Sequence, residues 1–249
     1  MAPRPLDAPP PAVLPVFPLT GSLLLPGNWL PLNIFEPRYR NMVEDAIGGE
    51  GRVGAARGEH EAGAGRGASA EPWIGMIQPF TPRQDNWPAL EEPPADPELY
   101  TVGCAGRIER CEPQADGRYH VLLRGFSRFR VRRELAPARG YRRVLADYAE
   151  FTADLAEPDA QLDPGPLLAA VRVFGQAQGL SFDLDVLAAL PGVALLNGLA
   201  AALPFQPAEK QALLEAAGPP ERQRMLLALM GMGIEPQAAD RTYAPPVVN

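Results

Sequence analysis

The residues able to carry covalent or metal chemistry are few and poorly spaced for it. Lys210 is the single lysine of the 249-residue chain, so the other 22 of its 23 basic groups are arginine. A phosphate-cradling Walker A loop needs Lys followed by Ser or Thr after a glycine-rich turn. Lys210 stands instead in PAEKQALL, and so the chain has no P-loop. A Ser-Lys dyad would have to pair it with Ser22, Ser69, Ser127 or Ser181, none of which sits in a nucleophile-elbow pattern. The only histidines are His60 and His120, and the only cysteines, Cys104 and Cys111, stand seven apart without CxxC or HExxH spacing. No metal, cofactor or catalytic residue is expected. Both cysteines read as free thiols, the usage of a cytoplasmic protein.

What remains is chemistry for binding. Phe35, Glu36, Arg38 and Tyr39 form a strand-to-helix junction in which Glu36, beside Pro37, is placed to cap free N–H groups. From Arg124 to Arg143 eight arginines face one acid, Glu134. Alternation in FSRFRVRR sets Arg128, Arg130 and Arg132 on one face of a strand and Ser127, Phe129 and Val131 on the other. Such a row attracts phosphates or acidic peptides. The competing reading is a solvated face neutralised by acids from the helical half, with Arg128 paired to a carboxylate such as Glu36. Gly125 permits a bend or bulge. Trp29 and Trp73 read as core, whereas Trp87, in a Pro-rich polar loop, is a candidate to cover a groove or touch a partner.

The elements that must position these residues follow from spacing. The 30 Pro and 24 Gly fall in bursts, which predicts short elements joined by long loops. VLPVFPLTGSLLLPGNWLPLNIF reads as short strands with sharp turns, and EPRYRNMVEDAIGG as one amphipathic helix from Pro37 to Gly48. WIGMIQPF is a strand between two predicted loops, Gly49 to Ala70 and Thr81 to Pro97. TVGCAGRIERC and RYHVLLRG form a hairpin about Asp116-Gly117, FSRFRVRR is a further strand and YRRVLADYAEF another. After Phe151 five stretches of about 10–13 residues carry helical spacing, with Pro at starts and Gly at ends, and must pack on one another to persist. The fold class predicted is α+β: a twisted, largely antiparallel sheet or partly open barrel over residues 13–150, then a helical bundle over 151–234. A mobile leader (1–12) and tail (235–249) flank them.

Neither long uncharged stretch suits a bilayer. Ala8 to Phe35 contains seven prolines, and Val186 to Ala208 is broken by Pro191, Gly192, Pro204 and Pro207. No h-region follows Arg4, so no signal peptide is expected. The net charge of −7 argues against a nonspecific nucleic-acid binder. It divides unevenly, −1 over 13–150 and −6 over 151–249.

Strings along the chain carry a family resemblance. VFPLTGSLLLPGNWLPLNIFEPRY, WIGMI, LYTVGCAGRIERC, DGRYHVLLRGFSRFRV and LAAALPFQPAEKQALLEAAGPPERQRMLLALM, in this order, resemble the N-terminal domain of Lon proteases over Val13 to Ile234. The resemblance implies a PUA-like β pseudo-barrel followed by a helical bundle, and a role in recognising protein substrates. A Walker A loop and a peptidase dyad are missing from the sequence, so the expectation is a non-enzymatic, cytoplasmic protein-binding module. Its partners would be unfolded or partly exposed protein segments, with a protease or chaperone as a further candidate. The candidate surface is Phe35, Glu36, Arg38, Tyr39, Trp87, Arg128, Arg130 and Arg132, with strand addition at an open sheet edge as a possible mode. The alternative is nucleic-acid binding through the PUA-like fold and the Arg face.

Overall fold

The computed structural model describes residues 10–48, 72–80, 96–155 and 162–234. His60, Ser69, Trp87, nearly all of both predicted loops, most of the leader and the tail lie outside the described residues.

Six strands build one sheet: β1 (Val13–Pro18), β2 (Trp29–Ile34), β3 (Trp73–Ile77), β4 (Val102–Pro113), β5 (Tyr119–Ala138) and β6 (Tyr141–Asp147). Neighbours run β2-β5-β4-β3-β1-β6, and β5 pairs β6 as well. That extra pairing joins β1, β3, β4, β5 and β6 in a ring and leaves β2 outside it, on the first half of β5. All pairings are antiparallel except β1 with β3. The fold is the α+β, largely antiparallel barrel-like sheet that the alternation predicts.

Two segments depart from the sequence reading. SLLL is not a strand: Leu23, Leu24 and Leu25 lie buried in an irregular segment between β1 and β2. FSRFRVRR is not a further strand but the continuation of the 20-residue β5. Gly125 makes this possible. The register with β4 shifts between Ala105↔Ser127 and Gly106↔Gly125, so Phe126 is bulged out. Gly125 also exchanges backbone hydrogen bonds with Gly27 and Asn28 at 2.9 and 2.8 Å, so close to the turn that a Cβ there would sit 2.1 Å from the Leu25 carbonyl oxygen.

Helix α1 (Pro37–Ile47) starts at proline as expected and buries Tyr39, Met42 and Val43. After two short 3-10 turns over Ala149–Leu155 come α2 (Gly165–Gln178), α3 (Leu184–Ala188), α4 (Gly192–Ala202), α5 (Pro207–Glu215) and α6 (Pro219–Met232). Helix α3 is only five residues long and ends three residues before Pro191. One hydrophobic cluster runs from Leu24, Met76 and Leu123 of the β half through Leu167 and Leu196 to Leu213 and Leu226 of the helices. A second, with Leu14, Val16, Phe129 and Val144, fills the other face of the sheet.

Candidate functional site

The arginine row does not form one solvated face. Arg128 is buried, and its guanidinium donates to Asp154 at 2.8 and 2.9 Å and to the Leu214 and Ala216 carbonyls at 3.0 and 2.5 Å. It stacks 4.7 Å from the Phe151 ring. A cation set on the last carbonyls of α5 offsets the negative end of that helix, so Arg128 bolts β5 to the helices. Its partner is Asp154, not Glu36. Arg222, also buried, donates to the Leu213 carbonyl and to Asn197, whose amide reaches the Pro26 carbonyl. Burial, and secondarily the Arg128 charge, pushes the Arg222 pKa down to about 10.

Four further arginines of the row are paired at their own level. Arg130 forms a two-pronged pair with Glu150 at 2.7 and 2.8 Å, whose hydrogen bond holds that carboxyl below its ordinary range. Arg132 pairs with Asp147. Arg142 holds Glu134 and Asp96, and Arg139 holds Glu44 and Asp45 of α1. The neutralising acids come from the barrel, the 3-10 turns, α1 and the residue before Pro97; Asp154 alone lies within the half expected to be helical, and none sits on α2 to α6. Their spacing gave no signal, because Glu150 and Asp154 lie 20 and 26 residues beyond their partners.

At the strand-to-helix junction Glu36 does not cap α1 with its side chain. Its carboxylate accepts from Arg38 at 2.9 Å, while its backbone carbonyl takes the Tyr39 and Arg40 N–H groups. Tyr39 is buried edge-on against Phe17, and burial raises its pKa. Phe35 and Arg38 remain exposed. The junction thus offers a phenyl ring and an exposed ion pair.

Trp73 is core, as expected, but Trp29 is not: it is 52% exposed. Arg124 stacks on it at 5.7 Å and on the bulged Phe126 at 5.5 Å. Beside them Pro31, Leu32, Asn33, Arg110, Glu112, His120, Val121 and Leu122 of β2, β4 and β5 line an open cavity of about 370 Å³. The sequence reading missed Trp29 because an aromatic flanked by apolar residues looks like core until the partner face is known.

No chemistry gathers around the nucleophiles. The Lys210 ammonium is buried, donates to the Ala201 carbonyl at 2.9 Å at the end of α4, and has its pKa lowered by burial. Cys104 is buried and Cys111 half-buried, and both are free. Among the described residues no group of three or more His, Cys, Asp or Glu could hold a metal ion, and no helix is long and apolar enough to cross a membrane.

Comparison with known proteins places this architecture. The model of the ATP-dependent protease La (LON) substrate-binding domain matches residues 13–231. The chain belongs to this family. It is 28% identical over 229 residues to Lon protease 2 of Sorangium cellulosum (strain So ce56), covering 89% of this chain and 25% of that protein. To Lon protease 2 of Myxococcus xanthus it is 26% identical over 224 residues, covering 88% and 24%. The chain therefore spans about a quarter of the length of these relatives. Among solved structures it resembles the Lon N-terminal domain protein from Xanthomonas campestris, with 26% identity, a TM-score of 0.51, and coverage of 87% of this chain and 97% of that one. The N-terminal domain of Mycobacterium avium complex Lon protease shares the fold at 16% identity and a TM-score of 0.51, covering 88% and 98%. The family supports substrate recognition as the role of this Lon-type domain.

Proposed function

We propose that the protein is a non-enzymatic recognition module that holds unfolded or partly exposed segments of other proteins in the cytoplasm, for a protease or chaperone. The observation that carries this reading is the contrast between its charges and its exposed apolar residues. The Arg130, Arg132, Arg139 and Arg142 cations are already neutralised within the domain, whereas Trp29 and Phe35 stand 52% and 49% exposed at the two ends of β2. Exposed aromatic side chains beside cationic and polar groups suit apolar segments with mixed charge. Phe35, Arg38 and the outward parts of Arg130 and Arg132 belong to the proposed surface, while Tyr39 and Arg128 are too deeply buried to contribute.

Nucleic-acid binding is disfavoured by the same pairing, because a phosphate contact at Arg130, Arg132, Arg139 or Arg142 would first have to break an internal ion pair. A titration of reduced, carboxymethylated lactalbumin and of a single-stranded RNA at two salt concentrations tests the choice. The expected result is micromolar association with the unfolded protein that survives moderate salt, about 8 kcal/mol of binding free energy. Tight RNA binding that collapses at high salt, with no association of the unfolded protein, overturns it.

A further inference from the structure

Strand β2 has one partner, β5, through Trp29↔Arg124, Leu30↔Leu123, Pro31↔Leu122, Leu32↔Val121, Asn33↔His120 and Ile34↔Tyr119. Pro31 has no N–H, so Pro31↔Leu122 is a pair without direct hydrogen bonds, and the ladder to β5 is made by Leu30, Leu32 and Ile34. The backbone groups of Trp29, Pro31 and Asn33 therefore face away from the sheet: two N–H donors and three carbonyl acceptors along an edge that no described strand covers. Pro31 blunts the edge at one point and leaves two donors open.

The side chains of the same three residues rise on one face. Register places them in rows with β5 and β4, as Trp29, Arg124 and Arg107, then Pro31, Leu122 and Arg110, then Asn33, His120 and Glu112. The opposite face, with Leu32, Ile34, Val121 and Leu123, is packed into the core. On the open face two observations point to a missing partner. Among the described residues the buried Asn33 Oδ1 meets no hydrogen-bond donor, and Asn33 lines the cavity between these rows. An unmet buried acceptor is costly, and native structures rarely keep one without a use. Arg124 stacks on two rings and, among the described residues, pairs with no carboxylate.

Resting on the recognition reading above, we propose that β2 is the docking edge and that its occupant is an extended polypeptide segment added antiparallel to β2. Its side chains at alternate positions would be a hydrogen-bond donor such as Gln against Asn33 Oδ1, an apolar residue against Pro31 and Leu122, and a carboxylate against Arg124. Charge sets this order: the Trp29 end carries Arg124, while the Asn33 end carries Glu112 and an unmet acceptor. In the antiparallel direction the donor stands N-terminal to the carboxylate by four residues. The main chain supplies sequence-tolerant bonds, and the three rows supply preference.

The test uses the whole chain and a labelled peptide, acetyl-Thr-Gln-Thr-Leu-Thr-Glu-Thr-amide, read by fluorescence anisotropy, with carboxymethylated lactalbumin titrated in parallel. Asn33→Pro removes an outward N–H and the orphan acceptor while leaving the ladder residues untouched, as Pro31 already does. It is expected to weaken both ligands about ten-fold, with unchanged circular dichroism. Arg124→Glu is expected to weaken the Glu peptide by a similar factor and to be rescued when Lys replaces that Glu, which a merely structural loss would not allow. If folded Asn33→Pro and Arg124→Glu bind both ligands as the parent does, β2 is not the edge, although the recognition reading survives. If the parent binds neither ligand, both fall. Should Asn33→Pro fail to fold, Asn33→Leu and the charge swap decide.

Discussion

The Arg128 guanidinium and the Asp154 carboxylate, 26 residues apart in sequence, grip each other through bonds of 2.8 and 2.9 Å with only 4% and 10% of their side chains exposed. The free edge of the guanidinium then takes the carbonyls that end α5, so one side chain joins β5, the 3-10 turns and the helices. Removing either partner leaves a buried charge. Arg128→Met or Asp154→Asn should each cost about 3–5 kcal/mol in urea unfolding, and the double variant clearly less than the sum of the two. Arg128→Lys should not restore stability, because an ammonium cannot span the carboxylate and two carbonyls together. Additive losses would show that the pair does not act as a unit.

Gly125 is required by space rather than by dihedral freedom. A methyl group there would press on the Leu25 carbonyl oxygen and break the backbone exchange with Gly27 and Asn28. Gly125→Ala should destabilise by about 3 kcal/mol or more, through overpacking and lost turn bonds. Gly198→Ala, in α4 with open space around the added methyl, is the control and should be neutral or mildly stabilising. Thermal unfolding of both variants decides.

The two thiols should separate cleanly by reactivity. Burial raises the pKa of both, far more for the fully enclosed Cys104 than for Cys111. Since the thiolate is the reactive form, a maleimide or disulfide reagent should modify Cys111 slowly, faster as pH rises, and reach Cys104 only on unfolding. Two rapidly labelled thiols in the folded protein would contradict the burial.

Acid should loosen the β5 to 3-10 contacts first. Asp147 and Glu150 both titrate below their ordinary 3.8 and 4.5, Asp147 chiefly through the Ala149 N–H and Glu150 chiefly through Arg130. A carboxyl lowered by folding contributes stability above its unfolded pKa and loses it as pH falls through the folded one. Stability should thus decline from about pH 4.5 downward. Glu150→Gln should flatten part of that slope, and high salt should shrink it because both groups are at the surface. An unchanged slope in the variant would remove Glu150 from this account.

ATP hydrolysis and cleavage of casein-like substrates by the purified protein should not exceed a buffer control. The Lys210 ammonium is committed to the Ala201 carbonyl, and the sequence holds no Walker A loop. Turnover abolished by Lys210→Ala would overturn this.

The sequence by itself determined most of the elements: alternation in β4 and β5, Pro at helix starts, Asp116-Gly117 at the hairpin and the Leu-Pro-Gly turn place them within a few residues, because these signals are local. Local signals also excluded the chemistry that needs Lys, His or Cys in set spacings. Only the tertiary structure decided which arginines are surface and which are bolts. The same alternation that aligned Arg128 with Arg130 and Arg132 cannot say that α5 ends over Arg128 and that Asp154 folds back to meet it. It likewise could not separate Trp73, enclosed by the barrel, from Trp29 at the open edge, nor show that the Asn33 side-chain oxygen is left without a donor. Burial, pairing and the open edge depend on which distant segment covers which face. That is settled when the ring closes through β5 and β6, with β2 left outside it.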